Sequence, residues 1–295
     1  MPVSNIIKSI IKRIPTIKNF IAERDELRLK IAQNSPVENP DVYILTEPSN
    51  QNILDMFKGE WSSQLPNNLK LATQPGTAKL FEDNRVTWAE QIFGNFSNWN
   101  ILELGPLEGG HSYMFNSKNA NKVTSIEANT RAFLKCLCIK EIFKLNRVEF
   151  MLGDFISFLE NDNSKYDMVF ASGVLYHMED PIRLLKLMSR VSDRLFIWTH
   201  YYDQGIINNR TELKHKFSPV SLFEHDGVSY EYSTQSYKKE LDWVGFCGGP
   251  KPVSKWLTRD SIIKALRQFG FTELKINFDR PDHLNGPTFA ICASK

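Results

Sequence analysis

Between residues 100 and 200 the chain alternates between short apolar runs of strand length and longer stretches patterned for helix. The runs lie at 101–104 (ILEL), 122–126 (KVTSI), 148–152, 166–171 (YDMVFA) and 194–199 (RLFIWT); helical patterns occupy 111–119, 130–145 and 180–191. Strands separated by helices pair in parallel, because the crossover needs a dozen or more residues and a helix supplies them. The helix at 180 is well signalled, since Asp180 can cap its amino end and Pro181 suits the first turn. This pattern predicts a doubly wound α/β structure. With 42% hydrophobic and 24% charged residues, the 295-residue chain has enough apolar side chain for a packed core.

The flanks read differently. Residues 1–22 carry Lys8, Lys12, Arg13 and Lys18 and no acid, with isoleucines on one helical arc. Pro15 predicts a kink or break there. The remaining chain is net −2, since the whole is +2. NSPVENPD (34–41) reads as a linker, and 41–99 as mixed but mostly helical. Residues 203–256 are rich in turn residues and tyrosines, which predicts an insertion of loops with a hairpin. A helix at 259–269, closed by Gly270, precedes extended runs at 271–278 and 288–294. Four cysteines without a C-x-x-C pair and the lack of metal-ligand spacing predict no metal site and a reduced, cytoplasmic chain. No apolar run reaches the roughly 18 residues of a membrane span, and no secretory signal is read at the amino end.

Four features fall where strands end, the edge at which α/β sheets place ligands. The first is Glu103-Leu-Gly105-Pro-Leu-Glu-Gly109-Gly110, a glycine turn that can bring backbone amides to a ligand at a helix start. Its spacing, G-x-x-x-G-G, departs from the G-x-G-x-x-G of dinucleotide folds. The second is Glu127, 22 positions beyond Gly105, where a carboxylate can accept both hydroxyls of a ribose. The third is Gly153-Asp154, either a helix cap or an acceptor for an adenine amine. The fourth is the run Ala171-Ser-Gly-Val-Leu-Tyr-His-Met-Glu-Asp-Pro181.

The series ILELGPLEGG, SIEAN, LGDF and YDMVFASGVLYHMEDP resembles the motifs of class I S-adenosylmethionine-dependent methyltransferases over about 98–202. The resemblance implies a Rossmann-like seven-stranded sheet of order 3-2-1-4-5-7-6 with the last strand antiparallel. It implies that Glu103, Gly105 and Gly109 line the methionine end of S-adenosylmethionine, that Glu127 holds the ribose, and that Asp154 with Phe155 holds the adenine. Pro106, Gly110, Ala128, Ser172 and Gly173 join them as cofactor-binding neighbours. Many family members have glycine where this chain has Leu107, which predicts a slightly different loop path. The GVLYH segment is most similar to quinone-pathway O-methyltransferases and to the carboxymethyl transferases of tRNA wobble uridine.

The expected domains are a basic amphipathic segment, 1–33, and a methyltransferase domain, 41–295. The latter divides into a cap (41–99), a cofactor-binding core (100–202), an acceptor-pocket insertion (203–256) and a closing helix and hairpin (257–295). The expected reaction is methyl transfer to an oxygen or nitrogen of a small molecule or glycan. His177, His200 and Tyr201 are the catalytic candidates, and His177 is read either as a base or as a group orienting the loop. His111 is read as a helix-start or cofactor-loop residue, and His215, His225 and His283 as loop residues. Trp61, Phe81, Trp88 and Trp99 are read as packing anchors or a lid. Tyr230, Tyr232, Tyr237 and Trp243 are read as a hairpin or a pocket wall. Carboxymethyl transfer to tRNA is the first rival, although no nucleic-acid partner is expected of a chain net negative outside 1–22. An inactive binding protein is the second rival, and a nicotinamide oxidoreductase the third. Residues 1–22 leave open a peripheral membrane contact or packing on protein. No feature of the sequence speaks for an oligomeric state.

Overall fold

A computed structural model describes residues 43–238, 241 and 248–295. The expectations for 1–42, including the basic segment, and for Trp243 lie outside the described residues.

The described chain starts with α1 (Asn50–Asp55), the short parallel strands β1 (Trp61–Ser63) and β2 (Pro75–Ala78), a 3-10 turn at Leu80–Glu82, and α2 (Asn84–Phe93). The cap is thus less helical than expected, with Pro66, Pro75 and Gly76 breaking the run between Trp61 and Leu80. The core follows as β3 (Asn100–Leu104), α3 (Gly110–Ser117), β4 (Lys122–Glu127), α4 (Thr130–Phe143), β5 (Val148–Leu152), α5 (Phe155–Asn161), β6 (Met168–Ser172), α6 (Pro181–Val191) and β7 (Arg194–His200). Beyond β7 come α7 (Gln204–Asn208), α8 (Thr211–Lys214), β8 (Ser221–His225), β9 (Val228–Ser236), β10 (Val253–Leu257), α9 (Arg259–Gln268), β11 (Glu273–Arg280) and β12 (Thr288–Ser294).

Seven strands form one sheet in the order β5-β4-β3-β6-β7-β12-β11, which is 3-2-1-4-5-7-6 when these strands alone are counted. β12 runs antiparallel to both neighbours. The central strand β3 pairs Leu102 with Thr124 on one side and Val169 on the other. Its residues are buried on both faces, as a parallel strand between helical layers requires. Leu102 and Leu104 pack with Ile182, Leu185 and Met188 of α6 and with Ile262 of α9. Ile101 packs on the opposite face with Val86 of α2, Phe115 of α3 and Ile139 of α4. Asp180 accepts the Arg183 amide, and Pro181 fills the first turn of α6 as expected.

The insertion is a three-stranded antiparallel sheet, β10-β9-β8, joined to the core through two short helices. Its hairpin turns at Asp226-Gly227, both at positive φ, and sets Tyr230 opposite Phe223. Tyr230 is fully buried and its hydroxyl donates to Gln268 on α9, so it packs the hairpin on the core.

The cap is fastened to the glycine turn. The Glu108 carboxylate accepts the amides of Ser62 (3.0 Å) and Ser63 (2.7 Å) of β1 and the Lys135 ammonium of α4 (2.8 Å). Lys135 also donates to the Glu60 carbonyl at 2.5 Å. Gly110 makes the approach possible, because a Cβ there would lie 2.7 Å from the Leu80 carbonyl carbon.

Candidate active site

A cleft of about 980 Å³ opens at the carboxyl ends of the central strands. Gly105 and Pro106 follow β3, Glu127 and Ala128 close β4, Asp154 and Phe155 follow β5, and Ser172 and Gly173 close β6; all eight line it, with His177. The cap contributes Lys79, Leu80 and the run from Glu82 to Arg85, and the far side contributes Phe278, Arg280 and His283. Glu103, Gly109, Gly110, His200 and Tyr201 are not among the lining residues.

At one end, the Glu127 carboxylate accepts the amides of Asn129 (2.8 Å) and Leu107 (3.1 Å). Burial raises its pKa, against the opposing pull of the Asn129, Leu107 and Ala128 amides. Leu107 adopts φ 56°, the left-handed conformation natural to glycine. The loop therefore keeps a glycine-like turn with a leucine in it, at a cost of about 1–2 kcal/mol, and the Glu127 hydrogen bond helps hold it. Asp154 caps α5 through the Ile156 and Ser157 amides, the first of its two readings, and it also lines the cleft. Gly105 lies at φ 65°, and a Cβ there would come within 2.6 Å of Val174.

A largely buried charge cluster reaches the cleft through Asp83, Arg85 and His111. His111 Nε2 donates to Asp83 at 2.8 Å, and its Nδ1 stands 3.6 Å from Glu103. Arg85 grips the same Asp83, with Nη2 at 2.5 Å, and its guanidinium lies 4.6 Å over the Trp198 ring. Glu103 is 1% exposed and accepts the hydroxyls of Ser112 and Ser125. It does not line the cleft. Gly109 faces Phe150, and Gly110 faces Leu80. Burial would raise Asp83, yet the hydrogen bonds and charges of His111 and Arg85 hold it well below the carboxylate range. Burial likewise opposes the His111 imidazolium, and the bonds to Asp83 and Glu103 outweigh it and raise its pKa. A raised imidazole stabilises the fold fully below its unfolded value near 6.5, and the benefit is lost as pH rises through the folded value. Thermal melts from pH 6 to 9 are therefore expected to show an alkaline loss of stability that His111→Gln removes.

On the opposite side, His177 Nδ1 lies 2.6 Å from the Tyr237 hydroxyl. Burial, with the His200 charge adding to it, pushes the His177 pKa down to about 3. His200 is 4% exposed, stacks on Trp256 at 4.8 Å and donates from Nδ1 to the Gly286 carbonyl at 3.0 Å. Burial and the His283 charge bring it down to about 4. The expectation that Tyr201 faces the cleft is not met. Its amide donates to Pro287, its ring packs on Phe289 at 5.3 Å, and it lines a separate hollow with Asp203 and Arg259. Trp61 and Phe81 are fully buried, so they are packing anchors.

Residues 95–238 match the family model described as a methyltransferase domain. The chain carries a methyltransferase domain. Two curated relatives are tRNA U34 carboxymethyltransferases. That of Campylobacter curvus is 33% identical over 115 residues, covering 37% of each chain. That of Campylobacter hominis is 28% identical over 86 residues, covering 29% of this chain and 30% of the relative. The chain thus spans about a third of the length of these relatives. Among solved structures, the N-terminal domain of EvdMO1, crystallised in the presence of SAH and D-fucose, superposes with a TM-score of 0.60. It is 20% identical, over 84% of this chain and 99% of that one, a likeness that speaks for the fold alone.

Several residues of the cleft are not legible in the sequence. Asp83 and Arg85 belong to the stretch 41–99, read as a cap without site residues of its own, and His283 to a turn read as a loop. The one local signal was Asp83 before a helix, a capping position that it fills by accepting the Arg85 amide. Tyr237, read as part of a hairpin or a pocket wall, is not among the lining residues and bonds His177.

Proposed function

We propose that the chain transfers a methyl group from S-adenosylmethionine to an oxygen or nitrogen of a small-molecule acceptor. The observation that carries this reading is the placement of Glu127 and Asp154 at the ends of adjacent strands, in one cleft with the Gly105 turn. The residues fit the donor. Glu127 would accept the ribose diol, Asp154 and Phe155 would take the adenine, and the open side of Gly105 would admit the methionine portion. The cleft, at about 980 Å³, has room for a small acceptor beside it. When bound, the donor supplies an electrophilic sulfonium methyl. The protein's part is to align a nucleophile with it, a contribution that can reach several kcal/mol.

Calorimetric titration tests the reading. Micromolar binding of S-adenosylmethionine without binding of NAD supports it, and failure to bind the donor defeats it. A second reading, carboxymethyl transfer to tRNA, is favoured by the activity named for the two Campylobacter relatives. The net negative charge outside residues 1–22 weighs against it. A mobility shift with unmodified tRNA at physiological salt would decide for it.

A further inference from the structure

Methyl transfer to an alcohol or an ammonium group needs a base with a lone pair facing the acceptor. Each titratable group of the cleft can be asked whether it offers one. His111 spends both nitrogens on Asp83 and Glu103. Asp83 is closed off by His111 and Arg85, Asp154 accepts the first amides of α5, and Glu127 accepts two amides at the nucleoside end. Glu82 is exposed at the rim.

The two remaining histidines of the lining are His177 and His283. The Asn285 backbone amide approaches His283 Nδ1 at 3.2 Å. A backbone amide only donates, so Nδ1 accepts, and the proton of the neutral ring is on Nε2. At His177 the partner of Nδ1 is the Tyr237 hydroxyl at 2.6 Å. A phenol is the stronger donor when paired with a neutral imidazole, so the bond runs from Tyr237 to Nδ1 and again leaves the proton on Nε2. The two rings belong to one aromatic wall: Tyr176 lies 4.1 Å from His177 and 4.6 Å from His200, which lies 5.2 Å from His283. His200 holds the opposite tautomer, with its Nδ1 proton on Gly286, but it is buried outside the lining. Arg280 lines the same side, carried there by the end of β11, whose register breaks between Asn277 and Arg280 at the left-handed Phe278. This end of the cleft is lined by the Tyr176 ring, by the two histidines with Nε2–H, and by Arg280, whose Nε is paired with Asp282 at 3.1 Å.

We propose that the acceptor enters as an anion whose reacting oxygen ionises unaided near neutral pH, a carboxylate or an acidic enol or phenol, with His177 and His283 donating to it from Nε2 beside Arg280. Tyr237 is a positioning residue, which fixes the His177 tautomer from the insertion. The inference rests on the methyl-transfer reading. The chemistry then balances without a base. The oxygen's lone pair forms the new O–C bond, and the C–S bond breaks with its pair going to sulfur. The negative charge of the acceptor and the positive charge of the sulfonium vanish together, and no proton is left to remove. Sugar and alkyl hydroxyls, which stay protonated at neutral pH, are outside this class.

The test begins with the full chain labelled with ¹⁵N-histidine, whose tautomers are read by long-range ¹H–¹⁵N correlation. His177 and His283 are expected as Nε2–H, and Tyr237→Phe is expected to turn His177 into a tautomer mixture without changing His283. An Nδ1–H form at either ring in the unmodified chain overturns the proposal. Label transfer from S-adenosylmethionine is then measured with benzoate and acidic phenols against a methyl glucoside and a simple alcohol. For the phenols, kcat/KM is expected to be flat above each phenol's own pKa and to fall about tenfold per pH unit below it. Transfer to the glucoside or the alcohol within about tenfold of the best anion also overturns it. The tautomers are read without any acceptor, so they decide the claim even if the panel holds no substrate. Failure of S-adenosylmethionine to bind would sink the methyl-transfer reading while leaving the tautomers as they are.

Discussion

Glu108→Ala is expected to lower the unfolding free energy by about 3–5 kcal/mol, the usual cost of leaving one member of a buried ion pair without its partner. The Glu108 and Lys135 side chains are 1% and 7% exposed, so water cannot take over the lost contact. The change also removes the acceptor to which the Ser62 and Ser63 amides of β1 donate. Against a total stability of about 5–15 kcal/mol, the loss is large. Urea denaturation of the full chain measures it. Combining Glu108→Gln with Lys135→Met removes both charges and is expected to recover part of the loss. A cost below about 1 kcal/mol for Glu108→Ala would mean that the pair is solvated and does not fasten the cap. Because the run from Glu82 to Arg85 both follows this anchor and lines the cleft, donor affinity is expected to fall with stability.

The parts of this protein that were legible in its sequence are those that local pattern encodes. β3 could be found because Ile101, Leu102 and Leu104 are buried on two faces, so the strand reads as an apolar run. Glu127 and Asp154 could be placed because each ends or follows such a run, and the sheet carries strand ends to one edge. The contacts that finish the site are of another kind. His111 finds Asp83 from 28 positions away, His177 finds Tyr237 from 60, and His200 finds Gly286 from 86. No periodicity records such pairs; only the packed fold creates them. Tyr201 shows how a small boundary error becomes a chemical one. β7 runs through His200, one residue beyond the apolar run, and its register with β12 pairs His200 with Thr288. Side chains alternate across a strand, so the position after its true end turns away from the cleft. Leu107 taught the converse: a missing glycine predicted a new loop path, yet the residue took the left-handed conformation.

Glu127→Ala is expected to leave the fold intact and to weaken binding of S-adenosylmethionine by roughly ten- to several-hundredfold. Hydrogen bonds to a charged acceptor contribute about 1.5–3 kcal/mol each, and each 1.4 kcal/mol is tenfold in affinity. The carboxylate is already oriented by the Asn129 and Leu107 amides, so little ordering is left to offset the two ribose contacts it would make. The pH dependence gives the same claim a second, independent signature. Burial raises the Glu127 pKa, and it is the ionised form that accepts both hydroxyls. Donor affinity is therefore expected to be full above the raised value and to fall as pH drops through it, with a midpoint above the ordinary carboxylate range near 4.3. In Glu127→Ala that acid limb disappears, whereas in Glu127→Gln it disappears while part of the affinity remains, because an amide oxygen still accepts one hydroxyl. Calorimetric titrations at several pH values read both effects. Unchanged affinity in Glu127→Ala would remove this residue from the donor site, and an acid limb that persists without Glu127 would assign the titration to another group.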